Sequence, residues 1–123
     1  MNQQRRAFHH RVGHETVRFG RAVMDLLTQP AFWVLTILGN MVTLLITLVV
    51  YHLEKGVNPQ MRHFIDALWW AASTVTTVGY GDVTPQTTAG RLVGIVLMLV
   101  GTSMFFSYTA LFASIIVKEG MDQ

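Results

Sequence analysis

Two long stretches without a formal charge, residues 31–53 and 92–117, constrain this chain more than any other feature of it. Neither contains an Asp, Glu, Lys or Arg. At about 1.5 Å per residue the shorter one reaches roughly 34 Å as a helix, enough to cross a hydrocarbon core of about 30 Å. Charged residues make up only 13% of the chain, where an ordinary soluble domain carries about 25%. Both facts point to lipid as the solvent. The first stretch starts too late and runs too long for a signal peptide, and no small-residue cleavage site follows it. Pro30 suits the first turn of a helix, where its missing N–H costs nothing. Trp33 and Tyr51 stand near the two ends of that run, where amphipathic rings favour the interface. Arg91 precedes the second run and Lys118 follows it.

The segment between the two runs carries the functional signal. Gly56-Val57-Asn58-Pro59 reads as a turn. Residues 61–75 hold helix formers with no internal Gly or Pro, and Phe64, Leu68 and Ala71/Ala72 recur on one face. This predicts a helix of three to four turns, too short to cross a bilayer. A short helix followed at once by a Gly-bearing turn and a second span implies a re-entrant segment. Irregular backbone at membrane depth persists only if it is buried in protein or lines an aqueous cavity.

The stretch after that helix, Thr76-Thr77-Val78-Gly79-Tyr80-Gly81, then Asp82, suits cation binding by backbone oxygens. An ordinary strand alternates the direction of its carbonyls. Aiming successive carbonyls at one ion needs conformations that a Cβ disfavours, and Gly79 and Gly81 enter them cheaply. Val78 and Tyr80 then point away as a packed cuff, and the Thr77 hydroxyl adds an oxygen at the inner end. One chain supplies too few oxygens per layer to surround an ion. The reading therefore requires a ring of copies, for which fourfold cyclic symmetry is the natural closure. The short helix would end facing the inner cavity, where the negative end of its dipole favours a cation.

The rest of the sequence bounds the remaining possibilities. Residues 1–29 hold Arg5, Arg6, Arg11, Arg18 and Arg21 against only Glu15 and Asp25. A basic flank of this kind stays on the cytoplasmic side, so with two spans both termini are expected there. Its natural partners are anionic lipid headgroups rather than nucleic acid. Phe8, Val12, Phe19, Val23 and Leu26/Leu27 recur at helical spacing, which predicts an amphipathic helix lying on the inner leaflet. His9, His10 and His14 read as solvated histidines, and Glu54, Lys55, Arg62 and Asp66 as ordinary extracellular surface charges. Asn40, in mid-span, reads as an interhelical hydrogen-bonding group. Gly94 reads as a packing position. There is no cysteine, so disulfides and thiol chemistry are excluded. Nothing resembles a catalytic triad, a metalloprotease site or a phosphate loop, and no enzyme or cofactor is expected. No span has arginines at every third position, so this stretch of sequence holds no voltage sensor.

The string from Thr77 to Gly81 is identical to the signature by which potassium filters are generally described. With its flanks, ALWWAASTVTTVGYGDVTP over residues 67–85, the chain resembles the tetrameric potassium channel superfamily, both its KcsA-like two-span bacterial members and its voltage-gated ones. The resemblance implies an all-α membrane protein with two transmembrane helices, a re-entrant pore helix and a selectivity filter, assembled as a homotetramer that conducts K+ passively. It divides the chain into an N-terminal segment 1–29, a pore domain 30–118 and a tail 119–123. Within the pore domain it expects an outer helix over 31–53, a pore helix over 61–75, a filter over 76–81 and an inner helix over 90–117.

By the same resemblance Thr77, Val78, Gly79 and Tyr80 coordinate K+, with Gly81 closing the filter. Thr76, Thr102 and Phe105 line the cavity. Gly101 is the inner-helix hinge, and Thr109, Ala110 and Ala113 form the cytoplasmic gate. Trp69, Trp70, Ser73 and Asp82 support the filter, with the Trp70 indole expected to donate to Asp82. Ser73 stands where the two-span relatives carry a glutamate, so a carboxylate pair with Asp82 is impossible. Inactivation is therefore expected to differ from the glutamate-bearing class. Thr84 stands where an aromatic confers external tetraethylammonium block, so weak block is expected. The competing readings are a nonselective cation channel, a potassium transporter subunit and a small membrane adaptor. A further cytoplasmic regulatory domain is an open expectation, because the gating stimulus is not legible in this sequence.

Overall fold

The structure, a computed structural model, describes residues 20–121. The described chain is helical with irregular connections: α1 (20–28), α2 (Pro30–Glu54), α3 (Phe64–Val75) and α4 (Thr88–Met121). It divides into two units. One comprises residues 34–108, and the other joins the described residues before position 34 to those from 109 onward. The expected amphipathic segment falls only partly within view. Val23, Leu26 and Leu27 lie in α1. Phe8, Val12, Phe19, the three histidines and the arginines up to Arg18 lie outside the described residues, as do residues 122 and 123.

In the unit formed by the two ends, α1 stops where Pro30 removes a donor and opens α2. The Gln29 N–H bonds the Leu26 carbonyl at 3.1 Å, and the Thr28 hydroxyl donates to the Asp25 carbonyl at 2.8 Å. The Trp33 indole N–H reaches the Leu27 carbonyl at 2.9 Å. Trp33 thus pins the α1–α2 corner while half of its ring stays exposed. Its polar edge is satisfied and its apolar body remains free for an interface.

In the larger unit, most of α2 and α4 flank α3. Both long helices are apolar enough to span a membrane, with mean hydropathy of 2.2 and 1.9 over their best windows. Little of either is buried within the chain. The core is small: Val50, Met61, Ala67, Trp70, Ala71 and Leu97, with Ile46, Tyr51, Val75, Val83 and Val93 packed against it. Each helix contributes one stripe. On the part of α4 in this unit the buried positions are Gly90, Gly94, Leu97 and Gly101, spaced by four, three and four residues. That period keeps one face inward.

Three glycines on this stripe allow close approach. A Cβ on Gly90 would run into the Glu54 carboxylate, and one on Gly101 into the Val75 side chain. At Gly94 it would meet the Trp70 ring at 3.3 Å. Gly101 therefore has a packing reason of its own, and α4 runs through it as uninterrupted helix.

The helix bounds differ from the sequence expectation for local reasons. α3 begins at Phe64 rather than 61, because His63 is extended (φ −117°, ψ 153°) and its N–H donates to the Asp66 carboxylate at 2.9 Å. Met61 is instead fully buried ahead of the helix. α4 begins earlier, at Thr88, and continues past the apolar run to Met121. Asn40, expected to bond between helices, donates to the Thr36 carbonyl of its own helix at 2.8 Å.

Candidate functional site

The site starts where α3 ends. Val75 is the last helical residue, and Thr76 (φ −81°, ψ 0°) caps the helix by donating its N–H to the Ala72 carbonyl. Thr77 then turns left-handed, φ +64°. Its N–H bonds the Thr74 carbonyl at 3.1 Å, and the Gly79 N–H bonds the Ser73 carbonyl at 3.0 Å. The Thr77 bond matches the inner bond of a Schellman closure, but the outer one comes from Gly79 rather than Val78, and threonine occupies the left-handed position usually given to glycine. Hydroxyls seal the helix end: Ser73 and Thr74 donate to the Trp70 carbonyl at 2.9 and 2.7 Å, and Thr76 to that of Ala72 at 2.7 Å.

Beyond this point the backbone alternates in hand. Thr77, Gly79 and Gly81 have φ of +64°, +58° and +74°, while Thr76, Val78 and Tyr80 stay at negative φ. Successive residues of opposite hand gather their N–H groups on one side. By the same rotation their carbonyls gather on the other. Left-handed backbone at a β-branched residue is a true outlier, and such strain, of order 1–3 kcal/mol, collects at functional sites. Sequence reasoning assigned this freedom to Gly79 and Gly81 and missed Thr77. The available signal was its place two residues before Gly79, in phase with both glycines.

The outer end of this segment is held by Trp69. Its indole N–H donates to the Asp82 carboxylate, at 3.0 Å to Oδ2 and 3.2 Å to Oδ1. Its ring lies nearly parallel to that of Tyr80, with centroids 5.2 Å apart and planes 13° apart. This corrects the sequence reading, which gave the Asp82 bond to Trp70. Trp70 is one residue further round the helix, about 100° away, and is buried in the core at 3% exposure. Ser73 is buried too, with its hydroxyl turned to the Trp70 carbonyl rather than to Asp82.

A second correction concerns Glu54, read as a surface charge but fully buried at 0% exposure. Its carboxylate accepts from the Asn58 amide at 2.7 Å, the Gln86 N–H at 2.8 Å, and Thr87 through both its N–H at 2.9 Å and its hydroxyl at 2.5 Å. Little in the local sequence marks it, because three of its four donor groups, on Gln86 and Thr87, lie more than thirty residues away.

The structure thus brings Trp69, Tyr80 and Asp82 together, and sets Trp70 against Gly94 and Val75 against Gly101. Thr102 and Phe105 lie on α4 within the larger unit, Thr102 half-buried and Phe105 exposed. Thr109, Ala110 and Ala113 are exposed and belong to the other unit. Residues 77–82 are exposed throughout.

Two membrane-length helices that flank a short helix ending in strained, one-sided backbone define a membrane pore protein. An ion-channel family model matches residues 31–118. The chain belongs to that family, within the superfamily of potassium channel pores. It is similar to potassium voltage-gated channel subfamily KQT member 4 of Homo sapiens, 40% identical over 68 residues that cover 55% of this chain and 10% of that protein. It is also similar to a voltage-gated potassium channel of Aeropyrum pernix, 44% identical over 66 residues that cover 50% of this chain and 22% of that one. Among solved structures it matches a voltage-gated K+ channel pore module in a closed state in lipid membranes. There the TM-score is 0.55 at 30% identity, over 68% of this chain and 91% of that module. The chain therefore covers 10% and 22% of these curated relatives' lengths, but 91% of an isolated pore module.

Proposed function

We propose that four copies of this chain surround a pore that conducts K+ selectively and passively down its gradient. One observation carries the reading: the alternating hand at Thr77, Gly79 and Gly81, which turns consecutive carbonyls to one side of the chain. Four such segments around an axis would replace the hydration shell of K+ with the carbonyls of Thr77, Val78, Gly79 and Tyr80 and the hydroxyl of Thr77. Gly81 closes the outer end. Exposure of the whole 77–82 segment in the single chain supports assembly, because strained backbone needs surroundings that hold it.

The remaining parts act by position. The C-terminal end of α3 presents the negative end of its dipole below the filter, with Thr76, Thr102 and Phe105 around the cavity. Gly101 serves as hinge, and Thr109, Ala110 and Ala113 as the narrow cytoplasmic gate. Both termini lie on the cytoplasmic side, where the basic N-terminal segment meets anionic headgroups. Conduction is passive, and no catalysis or resident cofactor is involved.

The test is bi-ionic reversal potential with the full chain reconstituted in lipid. A potassium-to-sodium permeability ratio far above unity is expected, from a particle of four chains. Equal permeabilities would leave the nonselective reading standing, a monomeric particle would remove the pore, and absence of flux would favour the adaptor.

A further inference from the structure

The face of α4 that packs inside its own unit does not end at Gly101. Gly90, Gly94, Leu97 and Gly101 are spaced by four, three and four residues, and the next position in that series is Met104. The three glycines adjoin Glu54, Trp70 and Val75, so the earlier part of α4 rests on α3 and on the far end of α2. Met104 rests instead on the first half of α2. A Cβ on Gly39 would lie 3.3 Å from Met104 Cε, 3.5 Å from its Sδ and 3.9 Å from its Cβ.

This contact stands apart from the rest of the packing. The buried residues of α2 are Gly39, Thr47, Val50 and Glu54. Gly39 is thus eight residues, about 12 Å, from the next buried position on its helix. Apart from backbone of its own helix, the three atoms nearest an added Cβ all belong to Met104. Phe105, Phe106 and Ser107, which follow Met104, are exposed. Helices in lipid associate by close packing over small residues, because the tails around them are as apolar as leucine. An unbranched thioether lying over a glycine fits that mode. As one flexible side chain in each copy, it can leave its seat as well as settle in it.

We propose that Met104 seated on Gly39 is a latch that holds α4 straight and so keeps the pore shut. The proposal rests on the potassium-conduction reading above, with Gly101 as hinge and Thr109, Ala110 and Ala113 as gate. Gly101 precedes Met104 by less than one turn, and all three gate residues follow it. A bend at Gly101 therefore carries Met104 and the gate residues along as one piece, while Gly39 stays with α2. A contact this close does not survive that shift. α4 runs unbroken through Gly101, which is the shape the seated latch favours. Opening the gate means unseating Met104 in each copy.

The chain has no cysteine, so the latch can be locked by a designed bridge. A Cβ-to-Cβ separation of 3.9 Å lies in the ordinary disulfide range. The full chain carrying Gly39→Cys with Met104→Cys is reconstituted in lipid, oxidised and recorded as single channels. Its open-to-closed ratio should fall by about tenfold or more on oxidation and return on reduction. Conductance and potassium selectivity should not change, because the filter is untouched. Either cysteine alone should not respond to the oxidant. Met104→Ala, which empties the seat, should raise the ratio by about fivefold or more. Met104→Leu, which keeps the bulk, should stay within about twofold of the parent chain. A bridged pair that still gates freely would overturn the proposal, and so would a pair that does not bridge. Met104→Ala that opens no more often than the parent, whatever its thermal midpoint, would leave the contact a packing feature only. If Met104→Ala does not assemble, the cysteine pair decides. A parent chain without potassium-selective current would overturn the functional reading, and the latch with it. A selective parent with indifferent variants overturns the latch alone.

Discussion

The filter segment, residues 77–81, and the exit loop that follows it, 82–87, are neighbours of similar length with opposite designs. The filter is exposed throughout, strained at Thr77, and tied to its own chain chiefly at its two ends. The exit loop is partly buried and satisfied within the chain by Asn58, Arg91 and Glu54. The first has a backbone that one chain leaves unfinished and that an ion and neighbouring copies would complete. The second is completed by its own chain. An exposed, strained segment is thus mounted on one whose backbone is hydrogen-bonded within the chain.

This contrast breaks most visibly at Gly79. Its φ of +58° admits L-residues only at about 1–2 kcal/mol each, and the cost recurs in every copy of a tetramer. Gly79→Ala is expected to cut potassium flux by two orders of magnitude or more. No atom of its own chain lies within 4 Å of an added Cβ, so within the chain only the backbone hand opposes it, and D-alanine, which favours positive φ, should restore most of the flux. Liposome flux with semisynthetic protein checks both. Equal loss with the two enantiomers would remove the backbone-hand argument. On the satisfied side, Glu54→Ala strips the acceptor from four donors, those of Asn58, Gln86 and Thr87. At about 1–3 kcal/mol for each unsatisfied group, it is expected to lower the thermal midpoint of assembly sharply, where Gly79→Ala should lower it little.

How much of this was legible in the sequence follows the same division. The two long apolar helices, the short helix and the left-handed glycines after it were readable because each signal is local: uncharged runs, a helix-forming stretch without Gly or Pro, and glycines spaced by two. The buried carboxylate was not. Glu54 sits at the polar end of a span beside Lys55, which reads as surface, and it is buried only because residues 84–87 fold back over it. The Trp69–Trp70 assignment failed for a related reason. Adjacent aromatics look alike in sequence, and only the roughly 100° step along a helix decides which one meets Asp82 and which enters the core. Thr77 was hidden because left-handed threonine runs against propensity, which is where function overrides it.

Smaller effects sharpen the contrast. Gly101→Ala places a Cβ into the Val75 side chain and should cost about 1–3 kcal/mol by overpacking. Adding Val75→Ala should recover part of that in a double-mutant cycle. Full additivity would argue that Gly101 is there to bend rather than to pack. Trp69→Phe keeps the stack on Tyr80 but removes the N–H that Asp82 accepts. The pair is partly solvent-exposed, so the loss should be nearer about 1 kcal/mol than the value for a buried charged pair. It should appear as shorter bursts at unchanged selectivity.

The smallest effect is expected at Asn40, which tests the spans rather than the filter. A polar amide in mid-span invites an interhelical bond, and such a bond would make Asn40→Leu costly. Its amide instead serves the Thr36 carbonyl one turn back, and the side chain is exposed on α2. That carbonyl already has a helical partner in view, so losing the amide leaves no buried group unsatisfied. Surface replacements of this kind stay within about 0.5 kcal/mol, and leucine suits a lipid-facing position. The thermal midpoint of Asn40→Leu in lipid should match the parent chain. A drop of the size expected for Glu54→Ala would mean that Asn40 meets another copy in the assembly, and that the spans, like the filter, are finished only by their neighbours.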